Sequence, residues 1–130
     1  TIAAAIVNND EAIIEHALYW GAIQSLREGD YLCAILNSPA LTKLVQPMQA
    51  QGAFGGRHFD MYIWNLPIPE FNPENQLHQD LATVGAKARR RAAAVDVEGM
   101  GFQKARGVVR RELKDLLRET DRLVETLLKP

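Results

Sequence analysis

Nine basic side chains fall between residues 87 and 114 of this 130-residue chain, and their grouping is where it comes nearest to a ligand chemistry. Lys87, Arg89, Arg90 and Arg91 form one set, fanned around a helix axis instead of lining a single stripe. Arg106, Arg110 and Lys114 form a second set at four-residue spacing, which places them on one helical face. Cations at this density attract the phosphates of a polyanion. A second candidate is the glycine-rich turn Gly52-Ala53-Phe54-Gly55-Gly56, which runs straight into Arg57 and His58. Glycines let backbone approach a ligand, and an arginine just beyond such a turn reaches a phosphate or a guanine edge. Arg57 can equally bond local carbonyls and do no more than fix the turn.

Other chemistries find no foothold. His16, His58 and His78 are isolated; Glu74 stands four residues before His78, but two groups do not make a metal site. There is no strand-Gly-x-Ser-x-Gly-helix elbow, and the glycine turn lacks both the Lys-Ser/Thr ending of a phosphate loop and the spacing of a dinucleotide fold. Asn65-Leu66-Pro67-Ile68 lacks the adjacent prolines and the aromatic residue of a methyltransferase catalytic loop. No catalytic residue and no metal ligand is assigned.

The elements that must carry these groups follow from pattern. Hydrophobic content of 47% and charged content of 24% are those of an ordinary soluble globular protein, long enough for one core. The net charge of −1 hides an asymmetry. Residues 1–86 hold three basic residues against nine acidic, whereas residues 87–114 hold nine basic against three acidic. The lone Cys33 sits among apolar neighbours and reads as an inert thiol in a reducing, cytoplasmic setting. No run approaches the roughly 18 apolar residues of a membrane span.

Ile2–Val7 and Ile13–Ile23, separated by Asn8-Asn9-Asp10, predict a β-hairpin. Arg27–Asp30 reads as a polar break, with Asp30 capping a helix that opens at Tyr31. Ser38-Pro39 caps a second helix that Pro47 ends. Pro67 and Pro69 force an extended strap. Leu77, Leu81, Val84, Ala88, Ala92 and Val95 then step as a helix, Asp96–Gly101 turns, and Val109, Leu113, Leu116, Thr120, Leu123 and Leu127 form a heptad seam. The expected fold is α+β: a small N-terminal hairpin or sheet, short helices, the strap, and a C-terminal antiparallel two-helix hairpin. It forms one domain, with a recognition part over 1–71 and the helical hairpin over 72–130. The strand-like opening without an initiator Met reads as a C-terminal piece of a longer chain.

Tyr31-Leu32-Cys33-Ala34-Ile35-Leu36-Asn37-Ser38, the turn into Gly56-Arg57-His58-Phe59-Asp60, and Leu66-Pro67-Ile68-Pro69 occur in an informative order. Together they resemble the C-terminal specificity (target-recognition) region of adenine-specific DNA methyltransferases of type II restriction-modification systems, the TaqI-like specificity domain. Specificity subunits of type I systems are similar in outline. The resemblance covers about residues 10–80 and implies a non-catalytic portion that reads or clamps double-stranded DNA. A separate methyltransferase domain of the same chain would bind S-adenosylmethionine, so no cofactor is expected here. The DNA-contacting residues expected are Arg57, His58, Lys87, Arg89, Arg90, Arg91, Arg106, Arg110 and Lys114. The competing expectation is a helical interaction module whose basic residues pair with protein carboxylates as it docks on the catalytic domain or a partner subunit.

Overall fold

Ser25 opens the first helix, and the polar run after it is the helix's first turn. The computed structural model describes residues 2–15, 18–48, 51–52, 55–56 and 66–129. Its helices are α1 (Leu26–Leu36), α2 (Pro39–Val45, continued by a 3-10 turn at Gln46–Met48), α3 (Gln76–Ala94), α4 (Phe102–Glu112) and α5 (Lys114–Leu127). The Ser25 hydroxyl accepts from the Glu28 N–H, and the Glu28 carboxylate accepts from the Gln24 N–H at 2.6 Å, a reciprocal cap. Asp30 is therefore no cap. It is buried in the second turn of α1.

The expected α+β fold is not formed; the architecture is helical. The reason lies in how the N-terminal segment satisfies its backbone. Ala4 donates its N–H to Asn37 Oδ1 (3.0 Å) and accepts from Asn37 Nδ2 (2.9 Å), while the same amide also donates to the Cys33 carbonyl (2.8 Å). One side chain at the end of α1 thus supplies the two bonds a partner strand would have made. Ile2 enters the core, and the tips of Ile6 and Ile23 close over Gly29 of α1. Asn9 does turn the chain, its carbonyl accepting from Ala12, but the segments on either side do not pair as strands. Strand pairing among the described residues is a two-residue antiparallel ladder, Gln51–Gly52 with Gly55–Gly56, too short to form a layer.

α1 packs chiefly on α3, α3 on α5, and α2 on α5. The core holds Tyr31, Ile35, Leu41, Leu81, Val84, Leu116 and Val124. Small residues on the facing surfaces, Ala34, Ala82 and Gly85, bring α1 and α3 close, and a Cβ on Gly85 would collide with the Asp30 carbonyl oxygen. Ser38 caps α2 as its sequence predicts, its hydroxyl accepting from Leu41 N–H at 3.1 Å; Asp121 of α5 accepts from Ala40 N–H at 2.8 Å in the same first turn. The strap over residues 66–71 is neither helix nor strand, and a tight turn at Pro67 lets Ile68 N–H donate to the Leu66 carbonyl at 2.7 Å. Tyr31, fully buried, donates its hydroxyl to the Pro69 carbonyl at 2.8 Å, and its ring meets Phe71 (5.3 Å) and His78 (4.9 Å) at tilted angles, the latter two stacking on each other at 6.4 Å.

The expected two-helix hairpin is modified. α3 and α5 form it, running antiparallel, but the helix after the turn breaks at Leu113 (φ −95°, ψ 3°) into α4 and α5. The seam residues divide accordingly. Leu116 and Thr120 are buried along α5, Leu113, Leu123 and Leu127 only half-buried, and Val124, outside the expected seam, completes the buried stripe; α4 buries no residue at all.

Candidate nucleic-acid interface

A helix that contributes nothing buried to the core is held by its ends, and α4 is held at its C-terminal end by Arg91. The Arg91 guanidinium, on the last turn of α3, donates to the Glu112 carbonyl (3.3 Å), freed where α4 stops, and to the Asp115 carboxylate (2.6 Å) in the first turn of α5. One cation thereby caps one helix and pins the start of the next. The bond holds the Asp115 carboxyl below its ordinary value. Ala105, Val108 and Val109 are half-buried, giving α4 its inner side.

Arg89 is also engaged inside the fold. Its Nε and Nη2 grip the two Asp30 oxygens at 2.8 and 3.0 Å, a fork-on-carboxylate bond across the α1–α3 contact. Asp30 is only 2% exposed, so this bond compensates a buried charge. It raises the guanidinium's affinity for its proton. Both arginines are positioning residues of the helical frame, with their donors turned toward internal oxygens.

The remaining expected groups fall differently. Arg57 and His58 lie outside the described residues. Lys87 and Arg90 are exposed on α3, and Arg106 and Arg110 on α4. Lys114 is exposed as well, as the first residue of α5 beyond the Leu113 break. Ion pairs among the described residues are Arg89–Asp30 and Arg91–Asp115, which leaves these five cations facing water. Because Arg91 meets both Glu112 and Asp115, Arg90, Arg110 and Arg111 all lie within about a turn of one joint.

Two further cations of α4, Lys104 and Arg111, are exposed on the same helix and lie outside the expected set. Their signal is present all the same. Over its 11 residues α4 holds four basic groups (Lys104, Arg106, Arg110, Arg111) against Glu112 alone. The arrangement can contact a run of phosphates through flexible, hydrated cations. It has no group poised for proton transfer and no nucleophile. Cys33 is half-buried, and burial, with Asp30 next in weight, pushes its thiol toward the protonated form. His78 Nδ1 accepts from the Asn72 N–H at 3.0 Å inside the aromatic cluster, and burial lowers its affinity for a proton. Among the described residues no three His, Cys, Asp or Glu side chains gather at one point.

An open groove of about 640 Å³ lies at the opposite flank, lined by Gln24, Arg27, Glu28, Phe71 and Gln79. Arg27, on its wall, is spent on Thr83 Oγ1 and the Gln79 carbonyl. No helix among the described residues is long and apolar enough to cross a membrane. No known protein family, curated protein or solved structure matches the chain.

Proposed function

We propose that this chain is a non-catalytic, DNA-docking part of a restriction-modification DNA methyltransferase, working in the cytoplasm beside a catalytic domain of the same chain that binds S-adenosylmethionine. The observation that carries the reading is α4, a cationic helix that the core does not need. Lys104, Arg106, Arg110 and Arg111 along it, with Lys87, Arg90 and Lys114 around it, supply affinity for the phosphate backbone of double-stranded DNA. Arg57 and His58 supply position or sequence readout in the resemblance to TaqI-like specificity domains. Arg89 and Arg91 hold the frame and do not contact phosphate.

Titration of a labelled duplex at several salt concentrations tests this. With roughly five phosphates engaged, log affinity falls with log salt at a slope near −4 to −5. A flat salt response, or no binding at low salt, removes the DNA reading.

A second reading is favoured by a specific surface. Ile13 (98% exposed), Leu18 and Trp20 stand in water along the N-terminal segment. A helical module docking on a catalytic domain or partner subunit would cover them, and their substitution would then weaken that association without changing duplex affinity.

A further inference from the structure

Gly107 occupies the middle of α4, where glycine is the least favourable residue after proline. Nothing in the fold calls for it. Apart from its own helix backbone and its chain neighbours, no atom lies within 4 Å of the position a Cβ would take, and its φ is not in the left-handed region. Gly85 is the opposite case, a helical glycine whose absent side chain is filled by a neighbouring backbone.

The residues that share a helical face with position 107 stand three and four places away: Gln103, Lys104, Arg110 and Arg111. All four are exposed, and three carry positive charge. The half-buried Ala105, Val108 and Val109 occupy the inner side of the same helix. Gly107 is therefore the bare floor of a cradle whose rim is Lys104 and Arg111 on one side and Gln103 and Arg110 on the other.

We propose that Gly107 marks the point where a DNA phosphate strand comes closest to the protein, lying across α4 with the rim side chains folded over it. The inference rests on the DNA-docking reading and adds its contact geometry. Charge complementarity selects the occupant: a cationic rim with a side-chain-free floor matches a narrow anionic ridge. A Cβ at the floor holds that ridge away and lengthens each rim contact.

The test uses the whole chain and a fluorescent duplex of about 25 base pairs, with Gly107→Ala and Gly107→Leu variants. In each variant melting is measured beside affinity. Alanine is a better helix former, so Gly107→Ala raises the melting temperature by about 2–4 °C. Duplex affinity nevertheless falls, roughly threefold for alanine and about tenfold or more for leucine, while Lys104→Gln in the native background flattens the salt slope by about one unit. If the native chain binds duplex and both Gly107 variants bind equally well, the contact geometry is wrong and the DNA reading survives. If the native chain binds no duplex at low salt, both fall together.

Discussion

Gly85 of α3 and Asp30 of α1 meet backbone against backbone, the glycine Cα facing the Asp30 carbonyl with no room for a methyl group between them. One turn further along α3, Arg89 takes hold of the Asp30 side chain. A steric fit and a charge bond thus fix the same helix crossing. Gly85→Ala pushes α1 from α3 and costs about 1–3 kcal/mol, read as a lower midpoint in denaturant titration. A midpoint equal to the native one would show that the helices adjust freely at this crossing.

The Arg89–Asp30 bond is asymmetric in burial, and its two deletions differ. Arg89→Ala strands a carboxylate that is 2% exposed, whereas Asp30→Asn leaves a guanidinium already 38% exposed that can turn to water. Arg89→Ala is expected to lower the melting temperature by about 5 °C or more, and Asp30→Asn by less. The reverse order would mean that the arginine, not the carboxylate, needs the partnership.

Arg91 and Asp115 form an exposed pair, so their bond adds little global stability. Its effect is local. The folded carboxyl titrates below its ordinary 3.8, so this contribution is present above that value and is lost as pH falls through the lower, folded one. Arg91→Ala returns Asp115 toward 3.8 in a side-chain NMR titration. It also speeds amide exchange around residues 112–116 while barely moving the melting temperature.

His78 and Tyr31 make the strap sensitive to pH in opposite directions. Burial lowers the His78 value from 6.5, so its share of stability is full above 6.5 and declines as pH falls through the depressed value, where protonation removes the acceptor for the Asn72 N–H. Burial pushes Tyr31 up to about 12 from 10.0, so its share is full below 10 and is lost as pH rises through 12. Urea midpoints between pH 5 and 8 should fall toward acid in the native chain and vary less in His78→Phe. Tyr31→Phe loses the bond to Pro69, costing about 0.5–1.5 kcal/mol at neutral pH.

Local rules carried much of the helical half. Ser38-Pro39 capped α2, the apolar steps from Leu77 to Val95 gave α3, and the two prolines kept the strap out of helix. Ser25-Leu26-Arg27-Glu28 spells a capping box as well, and this local signal outweighs the polarity of Arg27–Asp30 in setting the start of α1. The expected N-terminal hairpin does not form even though Ile2–Val7 has a strand's composition. What satisfies it is an asparagine amide from a helix end 33 residues away, and no local pattern shows that. The break at Leu113 was hidden for a similar reason. The heptad steps run through it unbroken, and only the position of Arg91 shows why the Glu112 carbonyl can be released there.

Val45 and Leu66 are both inserted in the same apolar interior, one closing α2 and the other opening the strap. The stretch between them contains Arg57 and His58, yet its two anchors are set by helices that meet through Asp30 and Arg89, 59 positions apart in the chain. Both anchor positions are thus secured by the helical frame itself, so substitutions confined to the chain between Val45 and Leu66 should leave the Asp30–Arg89 crossing in place.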